Sequence, residues 1–109
     1  MQNKIIITLK IEIKHEEICC AICNQPILKK QKVSIDHWIP KKLGGQDELS
    51  NLRPAHKICN SIKADMSPET FMEHKKELYK IALEKWHLNF EDKTIVSNAL
   101  HAMTHKKRR

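Results

Sequence analysis

The chain has 109 residues, with 20 Lys and Arg against 13 Asp and Glu, giving a formal net charge of +7 with histidine neutral. That length accommodates one small domain, and aromatics at 5% with 2 glycines leave little apolar bulk, so an added staple is expected. Hydrophobic content of 40% and charged content of 30% are those of a folded globular protein and exclude collagen-like, mucin-like and low-complexity chains.

No apolar run, the Ile5–Ile7 cluster included, approaches the ~20 residues that cross a bilayer. Lys10, Glu12 and Lys14 interrupt any signal-peptide core, and no small-residue cleavage site follows, so a cytoplasmic location is expected. Between Ile7 and Lys14 apolar and polar residues alternate, which predicts a half-buried N-terminal strand. Asn24-Gln25-Pro26 is a turn signal. Val33–His37 reads as a short strand with Val33 and Ile35 inward, ended by Pro40. The Lys41-Lys42-Leu43-Gly44-Gly45 stretch reads as a loop whose lysines can meet phosphates.

A helix is expected from about His56 through Asn60 and Lys63. Ser67-Pro68-Glu69 supplies an N-cap, a proline at the first helical position and an acid in the first turn, opening a second helix to about His87 with Phe71, Leu78 and Ala82 inward. A third helix is expected over about Glu91–His105, with Ile95, Leu100 and Met103 buried, followed by a frayed basic tail. Nothing in the sequence calls for a second domain. The reading is one domain over 1–109, with a motif core at 20–63, a helical extension at 66–105 and a tail at 106–109.

The cysteines are Cys19, Cys20, Cys23 and Cys59, a poor layout for two intrachain disulfides. Cys20-x2-Cys23 and His56-x2-Cys59 instead form two close pairs of ligands suited to tetrahedral Zn²⁺. Such a site is closed to water, so it would staple the small core and not serve as the reaction centre. The spacing favours Cys20 as the ligand and packs Cys19 in the core, although Cys19-x3-Cys23 is a conceivable alternative.

Between the two half-sites run Asp36-His37-Trp38-Ile39-Pro40, Gly44-Gly45, Asn51-Leu52-Arg53-Pro54 and His56-Lys57-Ile58-Cys59-Asn60-Ser61-Ile62-Lys63. Over Cys20 to Lys63 this combination resembles the HNH endonucleases, whose hallmark is an Asp-His at a strand end, an Asn-Leu in the following loop, and a CxxC followed by His or Asn with a Lys three further on. Two departures stand out: His56 occupies a zinc position that is usually Cys in this subgroup, and Asn60 replaces the final His of the name motif.

The resemblance implies an α+β, ββα-metal fold: a two-stranded hairpin ending in the Asp-His pair and packed on one helix. By that resemblance His37 matches the general base, Asp36 and Asn60 match the ligands of a catalytic Mg²⁺ or Mn²⁺, and Asn51 matches the Asn that holds the loop and orients the base. Lys63 matches a basic position near the scissile phosphate. These types suit the chemistry, since a neutral imidazole takes a proton near neutral pH and hard cations prefer carboxylate and amide oxygens. The implied reaction hydrolyses DNA phosphodiesters and leaves 3′-hydroxyl and 5′-phosphate ends.

The basic excess points to a polyanionic partner, and double-stranded DNA is the expected one. Lys41, Lys42, Lys57, Lys106, Lys107, Arg108 and Arg109 are the candidate phosphate contacts. Trp38 is expected to pack over the hairpin, with contact to DNA as the alternative. One such site cuts one strand, so cutting both would need a homodimer or sequential nicks by a monomer, and a two-fold dimer would suit palindromic duplex DNA. The competing reading is a zinc-stabilised nucleic-acid-binding module without catalysis.

Overall fold

A computed structural model describes residues 18–104 of the chain. The expected strand at 7–14, His105 and the basic tail Lys106, Lys107, Arg108 and Arg109 lie outside the described residues.

The described chain is a small α+β structure with two two-stranded antiparallel sheets and three helices. Strands β1 (Ile18–Cys19) and β2 (Pro26–Ile27) form a short ribbon with Ile18 opposite Ile27 and Cys19 opposite Pro26. The turn between them closes through Cys20 N–H to Gln25 O at 2.8 Å and Asn24 N–H to Cys20 O at 2.8 Å. Asn24 has φ 64, left-handed backbone that asparagine tolerates better than most residues. Cys20 turns inward and Cys19 outward, as strand alternation requires. The expectation that Cys19 packs in the core is therefore corrected: its side chain is exposed.

Strands β3 (Val33–His37) and β4 (Leu52–His56) form the second hairpin, with Val33 opposite His56, Ile35 opposite Pro54 and His37 opposite Leu52. Pro54 lacks an N–H, but its carbonyl accepts from Ala21 N–H at 2.9 Å and so ties the two hairpins together. A long loop joins β3 to β4, with tight 3₁₀ turns at Lys41–Leu43 and Leu49–Asn51.

Helix α1 (Lys57–Lys63) follows β4 without a linker and ends at Ala64, whose φ of 53 breaks the helical run. In α2 (Pro68–Lys85) the Ser67 hydroxyl accepts from Thr70 N–H at 3.2 Å, the expected cap. The helix ends two residues before His87, where Trp86 turns extended. In α3 (Phe90–Thr104) the cap is Asn89, whose Oδ1 accepts from Asp92 N–H at 2.7 Å. One buried cluster joins Cys20, Ile22 and Cys23 of the first turn, Ile58, Cys59 and Ile62 of α1, Phe71, Tyr79 and Ala82 of α2, and Ile95, Val96 and Ala99 of α3. Leu78, Leu100 and Met103 pack at its margin, only partly buried. Among the described residues no helix is long and apolar enough to cross a membrane.

Candidate functional site

Cys20, Cys23, His56 and Cys59 converge where the first turn meets the start of α1, all four buried, with their ligand atoms within 4.8 Å of one another. Three thiol sulfurs and one imidazole nitrogen at that spacing form a candidate zinc site, because tetrahedral Zn²⁺ takes this donor set. The surroundings fit a thiolate centre. Backbone N–H groups of Ile22, Cys23 and His56 point at Cys20 Sγ from 3.4, 3.4 and 3.3 Å.

His56 Nε2 donates to Gln31 Oε1 at 2.8 Å and lies 3.2 Å from the Pro26 carbonyl. Both partners are acceptors, so Nε2 carries the proton and Nδ1 is the lone-pair nitrogen. Nδ1 faces Cys23 Sγ at 3.4 Å and Cys59 Sγ at 3.8 Å. Gln31 in turn accepts from Leu28 N–H at 2.8 Å. Sequence reasoning missed this glutamine, which a coil segment carries into place.

Without a metal the thiols share protons. Hydrogen bonds from Cys23 and Cys59 hold the Cys20 thiol far below its ordinary range. The same contact to Cys20 pushes Cys23 up to about 12, and contacts to Cys20 and Cys23 raise Cys59 further.

A second constellation sits at the far end of the β3–β4 hairpin. Ile35, Asp36, His37, Pro40, Lys41, Lys42, Asn60, Ala64 and Asp65 line a cleft of about 220 Å³. It therefore gathers the Asp-His pair from β3 and Asn60 from α1. Asp36 is 2% exposed, and its Oδ2 has no hydrogen-bond partner among the described residues. A buried, unpartnered carboxylate oxygen is the acceptor a hard cation would satisfy. Asn60 Nδ2 donates to Ser34 Oγ at 2.8 Å, which orients the amide. The donor set of Asp36 and Asn60 thus fits a Mg²⁺-class ion.

Lys63 is fully buried, with Nζ 3.4 Å from Asp36 Oδ1 and 3.3 Å from the His37 carbonyl. Its ammonium therefore faces inward, toward Asp36. Burial raises the Asp36 carboxyl above the ordinary range, and the Lys63 charge and hydrogen bond act against that rise. Trp38 covers the same side of the hairpin, with the Arg53 guanidinium 4.5 Å and Lys63 Nζ 5.6 Å from its ring centroid.

Asn51 clamps the loop: Oδ1 accepts from Ile39 N–H at 2.8 Å, and Nδ2 donates to Ile39 O at 3.0 Å and Gln46 O at 3.1 Å. Glycine is required at 45, where a Cβ would lie 1.7 Å from the Ile39 carbonyl oxygen. Gly44, with φ 97, makes the preceding left-handed turn. The loop brings in a residue that sequence reasoning overlooked: Asp47, whose Oδ1 lies 2.5 Å from His37 Nε2. Its Oδ2 takes Lys41 Nζ at 3.4 Å. The available signal was a pair of acids, Asp47 and Glu48, between the paired glycines and Asn51. Lys42 and Lys57 are exposed.

These features define a class: a strand hairpin and helix that present an Asp-His pair beside a separate Cys/His metal knuckle. Residues 20–65 match the family model of the HNH endonucleases. No curated protein and no solved structure matches the chain. The HNH match supports a nuclease or nucleic-acid-binding function and a nucleic-acid partner.

Proposed function

We propose that the protein is a metal-dependent endonuclease that hydrolyses phosphodiester bonds of DNA, with His37 as general base. The observation that carries this reading is the shared cleft of Asp36, His37 and Asn60, built by a segment that matches the HNH endonucleases. Asp36 and Asn60 would hold Mg²⁺ or Mn²⁺, which when bound supplies positive charge to the phosphoryl oxygens and the leaving oxygen. Cys20, Cys23, His56 and Cys59 would hold a structural Zn²⁺.

His37 takes a proton from the attacking water. The water oxygen bonds to phosphorus as the bond to the 3′ oxygen breaks, and the leaving 3′ oxygen takes a proton from solvent water, giving a 3′-hydroxyl and a 5′-phosphate. Asn51 keeps the 39–46 loop seated so that the base holds its place. Lys63 is assigned as the internal counter-charge of Asp36, because its ammonium is buried against that carboxylate. Lys42 and Lys57, and Lys41 once DNA phosphate competes for it, contact the backbone and favour sequence-tolerant, salt-sensitive binding. The core motif and the α2–α3 extension act as one domain on double-stranded DNA, a monomer nicking and a homodimer cutting both strands.

The test is conversion of supercoiled plasmid by the zinc-loaded protein with Mg²⁺, with Mn²⁺ or with neither, for wild type and His37→Ala. Metal-dependent nicking lost in the variant is expected. Binding without cleavage by either protein would instead identify a non-catalytic module.

A further inference from the structure

We propose that Asp47 is a positioning residue for His37, fixing the imidazole in the tautomer that leaves Nδ1 as the basic nitrogen. The inference rests on the nuclease reading above for its consequence, though not for its geometry. Asp47 Oδ1 lies 2.5 Å from His37 Nε2. An ionised carboxylate can only accept. Nε2 is therefore the protonated nitrogen, and the lone pair able to take a proton from water is on Nδ1.

The loop that carries Asp47 is built to hold it there. Gly45 N–H donates to Pro40 O at 2.9 Å, in a spot where no side chain fits. Asn51 Nδ2 grips the carbonyl of Gln46, the residue immediately before Asp47, at 3.1 Å. Asn51 O accepts from Trp38 N–H at 2.9 Å, so one clamp fixes both the residue after His37 and the residue before Asp47. Lys41 Nζ lies 3.4 Å from Asp47 Oδ2, so the two oxygens of the Asp47 carboxylate are each engaged, one by His37 and one by Lys41. A fixed tautomer matters because a base presenting N–H toward the water cannot accept its proton.

Two readouts on the full, zinc-loaded chain test this. Proteins labelled with ¹⁵N at histidine are compared by long-range ¹H–¹⁵N correlation without Mg²⁺ or Mn²⁺: wild type, Asp47→Ala, Asp47→Asn and Lys41→Ala. His37 should show Nε2–H alone in wild type and in Lys41→Ala, and a mixture of tautomers in Asp47→Ala. Steady-state nicking should lose about 10²-fold or more in kcat in Asp47→Ala, with KM for DNA within about twofold of wild type. Asp47→Asn keeps an acceptor oxygen and should recover part of the rate. Asp47 is a loop residue with a side chain 30% exposed, and zinc content with a thermal melt verifies folding.

Wild-type His37 in mixed or Nδ1–H form, or Asp47→Ala with wild-type kcat, would overturn the proposal. If wild type cuts no DNA, the nuclease reading fails by itself, and the tautomer spectra still decide the role of Asp47.

Discussion

Lys63→Met isolates the buried ion pair at the candidate cation site. Both side chains are almost wholly withdrawn from water, with Nζ 3.4 Å from Asp36 Oδ1. At that separation and an effective dielectric of about 20, their attraction is about 5 kcal/mol. Removing one partner leaves an uncompensated buried charge, which typically costs about 3–5 kcal/mol, a large part of the roughly 5–15 kcal/mol a domain of this size possesses. The expected fall in Tm is roughly 10–20 °C.

The pH dependence follows from the direction of the Asp36 shift. Burial raises that carboxyl in the folded protein, so the native state holds its proton more tightly than the unfolded chain does. Stability is then withdrawn as pH climbs from the unfolded value through the folded one. Without Lys63 the carboxyl rises further, so the deficit of Lys63→Met should be smaller at pH 5 than at pH 8. The double variant Asp36→Asn/Lys63→Met, which removes both charges, should regain most of the loss. The assay is urea unfolding followed by circular dichroism, with zinc content checked at each pH. A Lys63→Met protein within about 1 kcal/mol of wild type at pH 8, where a cost of several kcal/mol is expected, would refute the reasoning. So would a deficit that fails to shrink on acidification.

Stripping zinc should unfold the domain, since structural sites contribute about 10–16 kcal/mol, and a chelated protein retaining its cooperative melt would contradict the staple. Zinc affinity should rise with pH, because the thiols of Cys23 and Cys59 lie above their ordinary range in the metal-free chain and must lose protons to bind; competition titrations at two pH values read this directly. Gln31→Ala should weaken zinc binding about 10- to 100-fold by freeing the His56 ring, and unchanged affinity would remove its orienting role. Gly45→Ala should cost stability and cleavage together by forcing the loop off Ile39; a melt and nicking rate equal to wild type would show that the loop yields freely.

Much of this architecture was legible because local chemistry and tertiary placement agree. Ser67, Pro68 and Glu69 mark the start of α2 in sequence and cap it in space. The paired Cys/His spacings bring together the four residues they suggested, since each pair is local and only the hairpin has to close. Other features depended on partners far along the chain. Leu52–His56 contains a proline and does not read as a strand, yet it pairs with β3 because Pro54 needs no ladder N–H there. Tyr79, not its neighbour Leu78, takes the buried position on α2, a one-residue rotation that a sparse apolar stripe cannot settle. Asp47 and Gln31 read as ordinary loop polars. Their importance lies in which histidine nitrogen they touch, and that follows only from how the loops fold back. Cys19 was misplaced because its inward neighbour Cys20 takes the buried side of the ribbon.

If the cleft hydrolyses DNA through an activated water, the cut ends carry the record of that chemistry. Plasmid nicked by the zinc-loaded protein in Mg²⁺ or Mn²⁺ is treated with DNA ligase, without prior kinase or phosphatase. Nicks that reseal, as 3′-hydroxyl and 5′-phosphate ends do, are expected from wild type, and none from His37→Ala. Nicks that ligase cannot seal, equal nicking by His37→Ala, or no nicking by wild type with either ion would contradict hydrolysis by this cleft.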